Sequence, residues 1–312
     1  MKKKFFRLSA AGLLFFSGIM EIGWRFFNMV VCCKRGGRKK ERKKWFELSH
    51  IRDNHPRNGY AKEYEERKDG MIMKVQAHRG ASGYAPENTL PAFQLAVDMG
   101  ADGIECDIHQ TKDGVLVVCH DDTIQRTSTG SGKISELTLE EIRREDFGIK
   151  FDQKYAGVTA PTLEEMLRVV AGMEVINIEI KEFGPDPDPA LHQFFRILES
   201  QKVTDRVLVS SFNPGILKRL KQLCPEITTA FLFGLPYPND PVSFAKEHLC
   251  DGIHPEQSVV TPTIMEQAQN EGMFVNVWTV NQPEEVLRAK KMGCEGIIGN
   301  YPDLALKALG RT

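Results

Sequence analysis

From Met73 onward, short β-branched runs alternate with amphipathic segments, and this rhythm confines the chain to the α/β folds. Strand candidates are Val75–His78, Ile104–Ile108, Val115–His120, Val175–Lys181, Val207–Ser211, Thr229–Phe233, Gly252–His254, Phe274–Val280 and Gly296–Gly299. Helical candidates are Thr89–Met99, Thr162–Val170, Pro189–Gln201, Pro214–Leu223, Thr263–Asn270, Pro283–Met292 and Pro302–Leu309. Several of these open with Pro or Thr and close near Gly, as helix ends do. The strand candidates are one too many for an eight-stranded barrel, and the excess has a local origin. Ile104–Ile108 and Val115–His120 are joined only through Thr111-Lys112-Asp113-Gly114. That link is too short for a parallel crossover, and Asp-Gly is a hairpin signal. The two runs therefore pair antiparallel, and one of them need not be a barrel stave; the sequence leaves open which.

Residues 121–160 break the alternation. Asp122–Gly132 is polar and turn-rich, Leu137–Arg143 reads as a short helix, and an irregular stretch runs on to Pro161. This is the pattern of an insertion, and insertions at the C-terminal face of barrel strands line active sites.

The chain holds two differently charged parts behind a formal net charge of -1. Residues 1–73 carry 18 Lys and Arg against 8 Asp and Glu, while the remainder carries 23 against 34. The leader, residues 1–44, contains an apolar stretch from Leu8 to Cys33, broken only by Glu21 and Arg25, and then a polybasic run from Lys34 to Lys44. A cleaved signal, a membrane span, a helix lying in the interface and a solvated, disordered tail with an incidental apolar segment are all open; an interfacial helix tolerates both charges. The polybasic run suits an anionic membrane surface. Were the stretch to span, the eight basic residues behind it outweigh the four before it and place the body on the cytoplasmic side. A membrane-associated protein facing the cytoplasm is the expectation, with residues 45–72 as a linker and 73–312 as the folded domain. An acidic body argues against a nucleic-acid partner. The seven cysteines are odd in number and lack C-x-x-C spacing, which fits free thiols in a reducing compartment rather than a disulfide framework.

Chemistry gathers at strand ends. Glu105 and Asp107 stand two apart and project from one face of a strand. With an even-numbered hairpin loop, His120 lies opposite Glu105 or Asp107 and points the same way. Glu179 and Lys181 share a face of a strand that is otherwise β-branched, a costly placement outside a polar site. Three carboxylates supply hard oxygen ligands, better suited to one divalent Mg²⁺ or Ca²⁺ than to zinc. Taken singly, each residue has a duller account. The Glu105–Asp107 pair suits a solvated edge, a lone His78 or His120 a structural histidine, Glu179–Lys181 an ion pair, and Trp278 a core or rim aromatic.

Together the residues resemble a known family. His78-Arg79-Gly80-Ala81 followed by Ala85-Pro86-Glu87-Asn88-Thr89 is similar to the opening of the glycerophosphodiester phosphodiesterases. The likeness continues through Gly103–Asp107, Thr111–Gly114, His120-Asp121, Ile178–Lys181, Ser210–Phe212, Trp278–Asn281 and Gly299–Asp303. The resemblance covers residues 74–309 and leaves the leader outside. It implies a TIM (β/α)8 barrel with a small insertion early in the chain, here preceded by a membrane-seeking leader. It further implies that Glu105, Asp107 and Glu179 bind the metal and that His78 and His120 are the acid–base pair. Arg79 and Lys181 would hold phosphate oxygens, and Trp278 would line the substrate pocket. The implied reaction is metal-dependent hydrolysis of glycerophosphodiesters to glycerol 3-phosphate and an alcohol. Release of lysophosphatidic acid from lysophospholipids is the alternative, favoured by the leader and by Phe212, Phe231 and Phe233 as pocket candidates. A membrane-tethered scaffold without turnover is the alternative of another class. Which histidine is acid and which base, and whether water or the glycerol 2-hydroxyl attacks, stay open.

Overall fold

The computed structural model describes residues 72–311. The expectations placed on the leader and on all but the last residue of the linker lie outside the described residues. Eight parallel strands form a closed ring: β1 (Lys74–His78), β2 (Gly103–Gln110), β4 (Val175–Ile180), β5 (Val207–Ser211), β6 (Thr228–Phe233), β7 (Gly252–Pro255), β8 (Phe274–Val277) and β9 (Gly296–Gly299). β1 pairs with both β2 and β9, which closes the barrel. The ninth strand, β3 (Leu116–Val118), pairs antiparallel with β2 and is the one that is not a stave. Gly103–Glu105 of β2 pair with β1, while Ile108–Gln110 continue beyond it and pair with β3.

The hairpin register differs from expectation. Ile108 pairs with Val118 and Gln110 with Leu116, so even positions oppose even ones. The loop has three residues, Lys112–Gly114, because the Thr111 amide already donates to the Val115 carbonyl at 2.9 Å. Gly114 takes φ 83°, the left-handed residue that closes a three-residue hairpin loop. In this register Asp107 faces Cys119, whose amide donates to the Asp107 carbonyl at 3.0 Å. His120 sits past the end of β3 and reaches the site on the departing chain.

Helices cover the ring: α1 (Leu90–Asp98), α3 (Leu163–Val170), α4 (Asp188–Gln201), α5 (Pro214–Leu223), α6 (Pro241–Glu247), α7 (Pro262–Asn270), α8 (Pro283–Met292) and α9 (Pro302–Ala308). Of these, α6 is absent from the helical candidates above, although Asp240 caps it and Pro241 opens it. Outward-facing strand residues such as Ile104, Cys106, Ile178 and Val209 pack with the helices into the main core. Phe231 and Phe233 belong to this layer as well, where Phe231 meets Phe244 and Phe233 meets Tyr237. This corrects their reading as pocket residues, since strand alternation turns Leu232 inward instead.

Inside the ring, Leu208, Ala230 and Phe274 plug the lower end. A Cβ on Gly252 would come within 2.5 Å of the Phe274 ring, so glycine there makes room for the plug. Above it lie the buried polar residues Gln76, Asn177, His254 and Asn276. The insertion has its own core of Val117, Cys119, Ile124, Ile134, Ile142, Phe147 and Ala160. Its short helix α2 (Leu139–Ile142) is held by a capping box between Thr138 and Glu141. The two faces of β3 divide between the cores, Leu116 and Val118 to the barrel and Val117 to the insertion. At the start of β1 and β2, Arg311 donates to both Asp102 oxygens at 2.6 and 2.8 Å, while the Val75 amide donates to Asp102 Oδ2 at 2.7 Å. Among the described residues, no helix is long and apolar enough to cross a membrane.

Candidate active site

The C-terminal ends of β1, β2 and β4 bring the expected residues together. Glu105, Asp107 and Glu179 are buried, and each offers a carboxylate oxygen within 4.8 Å of the others'. They converge because odd positions of β2 and β4 face inward and Asp107 pairs in register with Glu179. Burial pushes the Glu105 carboxyl well above its ordinary range, and the charges of Asp107 and Glu179 push it the same way. Glu179 is pushed up to about 7 by burial and by Asp107. Burial also acts upward on Asp107, but Lys181 and Arg79 override it and hold that carboxyl well below the usual carboxylate range. Lys181 Nζ lies 2.8 Å from Asp107 Oδ1 and 2.6 Å from Glu179 Oε1. Three buried carboxylates with two of them forced toward protonation form an all-oxygen donor set short of positive charge, which a hard divalent cation fits.

His78 ends β1, and its Nδ1 is 2.7 Å from Asn300 Oδ1 while Nε2 lies 3.9 Å from Glu105 Oε2. An amide oxygen only accepts, so Nδ1 carries the proton and Nε2 keeps its lone pair toward the carboxylates. Burial and then the Arg79 charge bring the His78 imidazole down to about 4. Arg79 follows in the left-handed region at φ 56°, which turns its amide onto Glu105 Oε2 at 3.1 Å. Its guanidinium donates to Glu87 at 2.9 Å and lies 3.4 Å from Asp107. Gly80 completes the turn, and a Cβ there would stand 2.6 Å from the Ala92 backbone.

His120 Nδ1 is 2.6 Å from Asp121 Oδ1. Burial lowers its pKa, with the Asp107 charge opposing. Trp278 donates from Nε1 to the His254 carbonyl at 2.8 Å and meets the half-exposed Phe212 edge to face. Every expected site residue thus stands at the mouth of the barrel. Sequence reasoning assigns no role to Asn88, Asp121, Arg126 or Asn300. Asn88, at φ 57°, donates to Asp107 Oδ2 at 2.8 Å. The signal for Asn88, Asp121 and Asn300 is their presence in the resembling blocks; Arg126 lies in a polar loop and has none.

Two linked spaces open here. A small chamber of 110 Å³ is bounded by His78, Glu105, Leu232, Trp278 and Ile298, among others. A groove of 1160 Å³ runs past His120 and Lys181 between the insertion (Asp122, Lys133, Ser135) and the loops after β4 and β5. His120, Glu179 and Phe212 line both.

The sequence profile of the glycerophosphoryl diester phosphodiesterase family matches residues 78–304. The chain belongs to this family. Among its relatives, the glycerophosphodiester phosphodiesterase of Caldanaerobacter subterraneus is 38% identical over 237 residues, covering 75% of this chain and 96% of that protein. The Bacillus altitudinis enzyme of the same description is 35% identical over 76% of this chain and 98% of its own. Among solved structures, an Oleispira antarctica phosphodiesterase in complex with the product sn-glycerol-3-phosphate superposes with TM-score 0.72 at 30% identity. The match covers 77% of this chain and 97% of that one. A glycerophosphodiester phosphodiesterase from Agrobacterium tumefaciens superposes with TM-score 0.67 at 26% identity, over 76% of this chain and all of that one. The barrel and the enzyme class expected from sequence both hold: this member of the glycerophosphodiester phosphodiesterase family is a phosphoric diester hydrolase on a TIM barrel.

Proposed function

We propose that the chain hydrolyses water-soluble glycerophosphodiesters to glycerol 3-phosphate and an alcohol, with Mg²⁺ or Ca²⁺ held by Glu105, Asp107 and Glu179. The observation that carries this is the pair of unequal spaces meeting at His120 and Glu179. The chamber suits a phosphate with a three-carbon chain, and the groove suits an alcohol of variable size. The product bound in the Oleispira enzyme is the same half-molecule. A metal ion on the three carboxylates supplies Lewis-acid stabilisation of the charge that develops on the phosphoryl oxygens. Arg79 adds to that stabilisation, and so does Lys181 where its ammonium is freed from the carboxylates. His78, with Nε2 unprotonated, takes the proton from the attacking oxygen. His120, with Asp121 behind it, gives a proton to the leaving alkoxide.

Cleavage of lysophospholipids is the second reading. It would leave an acyl chain on the glycerol half, which the chamber cannot enclose; the leader and the edge-to-face pair of Phe212 and Trp278 favour it. The leader's charge and apolarity support a membrane-associated enzyme with its body on the cytoplasmic side. Comparing cell fractions with and without residues 1–44 tests that, and an unchanged soluble distribution would end it.

The deciding assay measures glycerol 3-phosphate released from glycerophosphocholine by the full chain, beside lysophosphatidylcholine. Release in Mg²⁺ or Ca²⁺, its loss in chelator, and its loss in His78→Ala and Glu105→Ala are expected. Release that persists in chelator would overturn the metal role, and faster turnover of the lysolipid would replace the substrate.

A further inference from the structure

Arg126 lies in the insertion, and its side chain is 46% exposed, yet its guanidinium binds two carboxylates at once. Nε and Nη2 donate to Asp121 at 2.7 and 3.1 Å, while Nη1 and Nη2 donate to Glu87 at 2.9 and 2.8 Å. Each carboxylate also binds a site residue, through an oxygen that it shares with Arg126. Asp121 Oδ1 faces His120 Nδ1 at 2.6 Å, and Glu87 Oε1 accepts from Arg79 Nη1 at 2.9 Å. We propose that Arg126 is a positioning residue that sets the acid–base histidine His120 and the phosphate-binding Arg79 relative to each other. This rests on the phosphodiesterase reading above.

The geometry carries the inference in three steps. First, a guanidinium that grips a carboxylate with two parallel bonds fixes its plane as well as its position. Asp121 so fixed holds a proton on Nδ1 of His120 in the neutral and the charged ring alike, so that Nε2 is the nitrogen that carries the proton given to the leaving oxygen. Second, Glu87 belongs to the loop after β1 and Asp121 to the chain leaving β3, so the two halves of the site come from separate segments. Arg126 is the group that touches both. Third, Asp121 and Glu87 would repel each other across that gap without a shared cation. An exposed ion pair contributes little to folding, so a purely structural account gives this arrangement little to do. The insertion thereby serves the chemistry, because it brings the cation that aligns a histidine borne on one segment with an arginine borne on another.

The test uses the full chain with its divalent metal and glycerophosphocholine. Arg126→Ala is expected to lower kcat about 10–100-fold with a small change in melting temperature, as loss of an orienting partner does. Guanidinium in the buffer should restore part of the rate, and Arg126→Lys, which cannot make both paired contacts, should stay impaired. In a His120→Ala background, Arg126→Ala should cost clearly less than it does in wild type, because only the share that acts through Glu87 and Arg79 is left. An undiminished kcat in Arg126→Ala, or a full further loss in the His120→Ala background, would overturn the proposal. A second readout needs no substrate: the ¹⁵N shifts of the His120 ring report its tautomer in wild type and in Arg126→Gln. A shared, unchanged Nδ1–H tautomer refutes the positioning role. Absence of glycerophosphocholine turnover in wild type with the tautomer change present refutes only the substrate reading.

Discussion

Asn300 does for His78 what Asp121 does for His120, with an amide in place of a carboxylate. Its Oδ1 also lies 3.1 Å from Ser82 Oγ, and its backbone N–H donates to Asn281 Oδ1 at 2.9 Å. These contacts hold the asparagine beside the ring. Asn300→Ala is expected to lower kcat about 10–100-fold while leaving KM near its wild-type value, because the ring loses its tautomer rather than its place. Steady-state kinetics check this, and a change confined to KM would contradict it. Far from the mouth, Glu295 precedes β9 and accepts the Val275 amide at 2.7 Å. Burial lifts its carboxyl from the ordinary 4.5 to about 7. A folded value above the unfolded one means that folding favours the protonated form. That contribution is complete below 4.5 and is lost as pH rises through about 7. Glu295→Gln should therefore gain on wild type as pH climbs across this window, by on the order of 1–3 kcal/mol. Melting curves at pH 5 and pH 8 measure it, and parallel shifts at the two values would rule it out.

Among the elements, the insertion behaves as a second small fold set on the barrel's rim. Phe147 is its largest core side chain, and its amide donates to the Val158 carbonyl at 2.7 Å. Phe147→Ala should destabilise the insertion by about 3–5 kcal/mol. Hydrogen exchange should quicken across residues 121–160 while the barrel strands keep their protection, and kcat should fall with the loss of His120 placement. Equal loss of protection in β4 and β5 would show one core rather than two. The alternation of strands and helices is legible because period-two and period-3.6 patterns are written in consecutive residues. For the same reason Glu105, Asp107 and Glu179 can be placed on inward faces. The parity of the hairpin is not legible: Lys112-Asp113-Gly114 supports loops of two or three residues, and one residue's difference reverses which positions face each other. The same period of two sends Phe231 and Phe233 to the helices, a choice that depends on which face of β6 is inward. Arg126 escapes because its partners lie 5 and 39 residues away and no local pattern links them.

For the whole molecule, the ring is closed by its first and last strands. Tyr84 donates to Asp303 at 3.1 Å and packs edge to face on Tyr301, adding a second clasp above the β1–β9 pairing. The His78–Asn300 contact spans 222 residues of sequence across that same seam. Synthesis proceeds from β1 to β9, so the first histidine of the site emerges from the ribosome long before the residue that orients it. Catalytic competence should then arrive only once β9 and Asn300 have been made. A released chain ending at residue 290 is expected to show no diesterase activity, with a separate peptide of residues 291–312 restoring some of it; an active truncated chain would disprove this. A polypeptide broken off before Asn300 would carry all three carboxylates and both histidines, yet lack the partner that orients the first of them.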